Sequence, residues 1–285
     1  ACKLGIRAAL NDIETNHPNN LVALMMFSSP RDSASGDGRF NRPRVGLSRN
    51  YTRMHEALWY PPATLGNAGA TVRPYDSDNL DVPRAFGGTC YAMGLMQAYN
   101  QFSGNTSLVN FNPAEPSGDA GGNGRRGAQK VVIFETDGVP NVAATATLTN
   151  QGSHNSYYRI RYNSASPGGS EFPTVSSPST STVTSQIYAL CNQLCALETA
   201  NPPGYSTPSK KALIHCIGFG PVFSSGNPGS ATAISILNQM QQIGNVTDGL
   251  PPYKVINGTE DEMVDELQQA FTQILQNGVQ VSLLH

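Results

Sequence analysis

Two residues stand where side-chain oxygen atoms could do chemistry. Asp137 lies in the stretch Lys130–Asn141, KVVIFETDGVPN, and Thr89 opens TCYAMGLMQAYNQF after Gly87 and Gly88. Val131–Glu135 reads as a buried strand of a parallel sheet, because it is a short apolar run bounded by turn residues. Thr136 and Asp137 end it, and Pro140 forbids any continuation of the ladder. An Asp just past the carboxyl end of such a strand sits where open α/β sheets bind ligands. Thr89 stands at a helix start, where the plainest role for a Thr hydroxyl is a cap. A hydroxyl and a carboxylate also suit a hard cation such as Mg²⁺, which takes oxygen ligands in octahedral array and often keeps waters. Two such groups alone would not hold it.

Other chemistries find less support. Gly122, Gly124 and Gly127 in GNGRRG match a dinucleotide-type pattern, but they precede a strand instead of following one and opening a helix. There is no GxxxxGK[ST] phosphate loop and no GxSxG nucleophile elbow. No Ser or Cys sits at a strand end with a supporting base, and Cys216 is read as core. Glu135 and Asp137, two apart on a strand, point the same way without an identifiable substrate cleft. The five cysteines include Cys191 and Cys195, four apart on one helix face, where they read as small buried hydrophobes. Neither cysteines nor histidines show a zinc-type spacing.

The elements that must position Thr89 and Asp137 can be taken in order. Residues 3–15 carry Ile6, Ala9, Leu10 and Ile13 at helical spacing. Leu21–Phe27 predicts a buried strand, Arg44–Leu47 an edge strand opened by Pro43, and Tyr51–Trp59 a helix. A helix follows Thr89, with Tyr91, Leu95 and Tyr99 on its apolar face. After the 131–135 strand come helix Val183–Glu198, strand Ala212–Ile217 with Gly218 and Gly220 just after, helix Ala231–Ile243 and strand Tyr253–Ile256. Thr259-Glu260-Asp261-Glu262 reads as a capping box opening a helix over 260–276. The tail Val279–Leu284 is a strand or a docked extension.

Strands alternating with helices predict an α/β fold, a doubly wound, mostly parallel sheet covered on both faces. One domain over 1–285 accounts for all of it, with loop insertions at about 60–86 and 141–181. The second insertion carries an aromatic-charged patch around Tyr157, Tyr158, Arg159 and Tyr162. Net charge is -2 and only 13% of the residues are charged, so nothing points to nucleic acid or an anionic membrane surface. The longest apolar run, Leu21–Phe27, is far too short to span a membrane. Asn50, Asn105, Asn245 and Asn257 lie in N-x-[ST] sequons.

The pattern resembles a von Willebrand factor A domain. Helix 3–15 followed by LVALMMFSS, then GGTCYAMGLMQAY, VVIFETDGVPN, ALIHCIGFG and the closing helix carry the resemblance over nearly the whole chain. It implies a Rossmann-like sheet and a metal-ion-dependent adhesion site built from three loops. By position Thr89 matches the second loop's Thr and Asp137 the third loop's Asp. The first loop, Asp-x-Ser-x-Ser, is absent; Asp32-Ser33-Ala34-Ser35 has the wrong spacing and follows the wrong strand. We therefore expect the central first strand and its motif to be missing, leaving 21–27 and 131–135 without a shared neighbour unless 279–284 fills the gap. The intact parent is expected to bind Mg²⁺ or Mn²⁺, and this chain as written none.

The resemblance implies a non-enzymatic adhesion module that engages a protein partner through an acidic side chain. Its place would be a cell surface, the periplasm or the secreted space, in pilus assembly among other settings, anchored through an upstream segment. The 141–181 insertion would emerge on the ligand face, with Tyr157, Tyr158, Arg159 and Tyr162 touching the partner. The alternative is a partner-recruiting von Willebrand A subunit of an ATPase- or chelatase-type complex.

Overall fold

The computed structural model describes residues 1–28, 42–61, 64–71, 82, 88–103, 121–122, 124, 128–143, 178–197, 211–224, 226–244, 246 and 254–278. Along the chain these form α1 (Cys2–Asn16), β1 (Val22–Met26), β2 (Arg42–Ser48), α2 (Tyr51–Ala57), α3 (Ala68–Thr71), α4 (Tyr91–Phe102) and β3 (Val131–Thr136). They continue with α5 (Thr180–Cys195), β4 (Leu213–Phe219), α6 (Ser230–Ile243), β5 (Lys254–Ile256) and α7 (Glu260–Gly278). The chain divides into two compact units, one made of 1–18, 127–139 and 198–285, the other of 19–126 and 140–197.

The first unit holds a parallel three-stranded sheet of order β3-β4-β5, so the α/β class read from the sequence stands. Val131 lies opposite Leu213 and Thr136 opposite Gly218, in unbroken register. One side of this sheet is sealed by α1 and α7: Ala9, Leu267, Ala270, Phe271 and Ile274 pack with Ile217 and Ile256, and Val131, Ile133 and Phe219 join them. Apolar residues at helical spacing on both helices meet one face of the strands, to which every second strand residue points because strand side chains alternate. The helices touch closely at Gly5, where an added Cβ would lie 2.5 Å from a Leu267 methyl carbon.

β5 is short, so among the described residues the first half of β4 has no strand on that edge. There the Ile214 N–H donates to the Gly244 carbonyl at 3.0 Å and the Cys216 N–H to Gln241 Oε1 at 2.6 Å. The end of α6 thus stands in for a strand, as a buried backbone donor requires. α7 opens with the expected capping box: Thr259 N–H donates to Glu262 Oε2 and Glu262 N–H to Thr259 Oγ1, at 2.9 and 3.4 Å.

In the second unit β1 and β2 pair antiparallel, Val22 opposite Ser48 and Met26 opposite Arg42, with register shifts between. α4 packs against this pair and against α5. Tyr91, Met93, Leu95 and Met96 of α4 and Ile187, Leu190, Cys191 and Leu194 of α5 are fully buried. Polar residues of α4 meet the backbone of the pair: Gln97 Nε2 donates to the Met26 carbonyl, and the Leu47 N–H donates to Gln101 Oε1 at 3.0 Å.

Several sequence expectations need correction. Pro43 lies inside β2 opposite Met25, not at its start, beside an irregularity in the ladder that accommodates the missing N–H. β4 continues through Gly218 and Phe219; a Cβ at Gly218 would sit 2.7 Å from the Phe223 ring, so glycine there makes room for a contact and ends nothing. α5 starts at Thr180, not Val183, because Ser179 Oγ accepts from Thr182 N–H at 3.1 Å. Neither apolar strand is fully buried: every residue of β1, and Val131 to Ile133 of β3, keeps part of its surface exposed. Among the described residues β1 pairs only with β2 and β3 only with β4.

Candidate functional site

The third-loop position is built by β3. Its last residue, Thr136, is buried, and its Oγ1 accepts from the Gly138 N–H at 3.3 Å in a tight turn. Asp137, one residue beyond the strand, is exposed. Val139 packs on the start of α6, where a Cβ at Gly229 would meet it at 2.7 Å. The carboxylate is therefore carried on a short turn braced at both ends, past the carboxyl end of a parallel strand.

Beside it lies a group that sequence reasoning missed. The Cys2 thiol, at the start of α1, donates a hydrogen bond to the Glu135 carboxylate. Burial pushes Glu135 up to about 7; the Cys2 bond opposes that shift and the nearby Asp137 charge adds to it. Burial, then the Glu135 charge, holds the Cys2 thiol well above its ordinary range. The α-amino group of Ala1 lies 3.3 Å from Glu260 Oε1 at the head of α7. Only a helix-start position marks Cys2 in the sequence, which is no signal for a strand-end partner.

The second-loop position belongs to the other unit. Thr89 does not cap α4, contrary to the plain reading: Cys90 takes the N-cap position, without a side-chain bond. The backbone of Thr89 is instead held on both sides. Its N–H donates to Asn141 Oδ1 at 2.9 Å, and its carbonyl accepts from the Asn141 and Val142 N–H groups at 3.0 and 3.3 Å. Among the described residues the Thr89 hydroxyl has no hydrogen-bond partner. Burial pushes the neighbouring Cys90 thiol up to about 12, which keeps it protonated.

Thr89 and Asp137 are hard oxygen donors, the right type for Mg²⁺ or Mn²⁺. Their number is short of an octahedral shell, and no group of three or more His, Cys, Asp or Glu that could hold a metal occurs among the described residues. Tyr157, Tyr158, Arg159 and Tyr162 lie outside the described residues, as does 279–284.

The glycine pattern 122–127 proves to be a helix-end device where it is described. Gly122 N–H donates to the Asn100 carbonyl and Gly124 N–H to the Ser103 carbonyl, at the carboxyl end of α4. That is the end a phosphate would avoid. Two sequon side chains also have local roles: Asn50 Oδ1 caps α2 by accepting from Arg53 N–H at 3.1 Å, and the Asn257 amide faces the Gly220 and Ile256 carbonyls, to which its nitrogen donates once the amide is turned over. No helix among the described residues is long and apolar enough to cross a membrane.

No family model matches this sequence, and no curated protein matches it. Two solved chains are similar to it, both of the pilus adhesin SpaC from Lactobacillus rhamnosus GG, one in an open conformation. Each is 19% identical, with TM-scores of 0.49 and 0.46, over 97% of this chain. The chain spans only 28% of the adhesin's length. A likeness of that degree carries no argument about function.

Proposed function

We propose that this chain is a non-enzymatic binding module of the von Willebrand A type, engaging a protein partner at a cell surface or in pilus assembly. A Mg²⁺ or Mn²⁺ ion, held in part by Asp137 and Thr89, would accept an acidic side chain of that partner. Asp137 carries the reading: an exposed carboxylate one residue beyond the carboxyl end of a parallel strand, on a turn braced by Gly138 and Val139. The hydroxyl of Thr89, not spent as a helix cap, supports it. Tyr157, Tyr158, Arg159 and Tyr162 are assigned to partner contact in the same reading.

Two donors are too few to dehydrate Mg²⁺. The polypeptide 1–285 alone is therefore expected to bind none at millimolar concentration. A longer form of the protein that supplies further oxygen donors is expected to bind it, and Asp137→Ala to abolish the calorimetric heat there. Heat retained in that variant would overturn the assignment of Asp137.

A further inference from the structure

We propose that Asp137-Gly138 is a modification site, where Asp137 converts to isoaspartate, and that the hydroxyl of Thr136 holds this conversion back in the folded chain. Isomerisation needs no ion at Asp137. It decides how long the carboxylate past the end of β3 stays where the strand puts it.

The chemistry needs no co-reactant but water. The Gly138 nitrogen attacks Cγ of Asp137; the N–Cγ bond forms, and one carboxyl oxygen leaves as water with the carboxyl proton and the Gly138 amide proton. The five-membered imide so formed then adds water. Breaking the new N–Cγ bond restores aspartate. Breaking the bond from that nitrogen to the main-chain carbonyl carbon leaves Gly138 joined through Cγ. The main chain is then one carbon longer, and the free carboxylate sits directly on Cα. Gly138, with no Cβ, leaves the attack unobstructed. The sequence holds three such pairs, Asp37-Gly38, Asp137-Gly138 and Asp248-Gly249. The first and third lie outside the described residues. Between Gln129 and Pro140, Asp137 alone is exposed, so water reaches it.

The fold opposes the attack at the atom that must make it. Thr136, the last residue of β3, is buried. Its Oγ1 accepts from the Gly138 N–H and donates to the Gly138 carbonyl, both at 3.3 Å. A hydroxyl can do both at once. One side chain therefore bridges the two polar groups of the residue after Asp137. For the nitrogen to reach Cγ, the Gly138 peptide must turn and its N–H must be given up. Both changes break the bond to Oγ1. Beyond the turn Pro140 fixes φ, and Val139 lies against the start of α6, where a Cβ at Gly229 would meet it at 2.7 Å. Losing one hydrogen bond changes an equilibrium by about two- to tenfold, so the Thr136 hydroxyl should slow the conversion by that factor.

The 285-residue chain is aged near neutral pH, native and in urea, and isoaspartate at 137 is measured by peptide mapping with electron-transfer fragmentation. Thr136→Val removes the hydroxyl and keeps the branched shape; Thr136→Ser keeps the hydroxyl. Isoaspartate should form at least about twofold more slowly in the native chain than in urea. Thr136→Val should quicken the native conversion about two- to tenfold, and Thr136→Ser should leave it as in wild type. In urea the three proteins should convert alike. Equal rates in native and unfolded wild type overturn the restraint. A native Thr136→Val rate equal to that of wild type overturns the role of Thr136. No isoaspartate at 137 even in urea overturns the modification site itself. Where circular dichroism finds Thr136→Val unfolded, amide exchange at Gly138 in wild type decides instead: a protected N–H supports the bond to Thr136, and an unprotected one overturns it.

Discussion

Glu135 and His215 should give the first unit two opposing pH dependences, which Glu135→Gln would separate. Burial, eased by the Cys2 bond and reinforced by Asp137, raises Glu135 from 4.5 to about 7. Its folded state therefore prefers the protonated form. Stability is intact below the unfolded value near 4.5 and is lost as pH rises through about 7. His215 lies on β4 with 3% of its surface exposed, and burial lowers it from 6.5 to about 4. Its folded state prefers the neutral form, so stability is intact above 6.5 and is lost as pH falls through about 4. Each shift is about two and a half units, and each unit corresponds to about 1.4 kcal/mol, so either group costs at most about 3 kcal/mol.

The two costs nearly cancel in slope. Near pH 7.5 the Glu135 cost stands at about 3 kcal/mol and the His215 cost near zero; near pH 4 the roles are exchanged. At about pH 5.5 each contributes roughly 1.4 kcal/mol, so their sum changes by only about half a kcal/mol across the range. Glu135→Gln removes one titration and keeps an acceptor for the Cys2 thiol. Urea unfolding followed by far-UV circular dichroism should find this variant about 3 kcal/mol more stable than wild type near pH 8 and equal to it near pH 4. His215→Met should do the reverse, gaining in acid and nothing near pH 8. Taking differences between variants removes the background of the other carboxylates. Parallel stability curves for wild type and Glu135→Gln would show that burying the Glu135 carboxylate does not penalise its charge, and would refute the reasoning.

Three further outcomes follow from the packing. Gly5→Ala places a methyl group 2.5 Å from Leu267, so α1 and α7 must part; urea unfolding should show a loss of about 1–3 kcal/mol, and an unchanged midpoint would mean that Leu267 simply moves aside. Gln241→Leu leaves the Cys216 N–H without its acceptor on an edge that β5 does not reach, which should cost about 1–3 kcal/mol and speed Cys216 amide exchange more than that of its neighbours. Cys90 and Cys191 are fully buried and burial raises both thiols, so iodoacetamide near pH 8 should label them slowly in the native protein and readily in urea; rapid native labelling would contradict their burial.

What was legible in the sequence was whatever a local pattern dictates. The apolar stripe of 3–15, the capping box at Thr259 and the run 131–135 each specify an element through period or cap chemistry, and each formed within a few residues of expectation. Features set by contacts distant in sequence were not legible. Gly218 reads as a strand terminator until the Phe223 ring that needs its space is known. Nothing in the pattern of helix 231–243 singles out Gln241 until the half of β4 that β5 does not reach calls for an acceptor. Thr89 reads as a helix cap until Asn141, 52 residues away, takes both of its backbone groups.

The same distinction bears on the candidate site. The type of each donor is local: a Thr before an amphipathic helix and an Asp after an apolar strand can be found by inspection. The reason Thr89 has a hydroxyl to offer is not local, because a cap is the lower-cost use of that group unless another residue fixes the peptide first. A Thr followed by a helix and an Asp followed by Gly therefore suggest a cation site weakly. Among the described residues the grip of Asn141 on the Thr89 peptide stands in place of a cap, and neither residue alone reveals it.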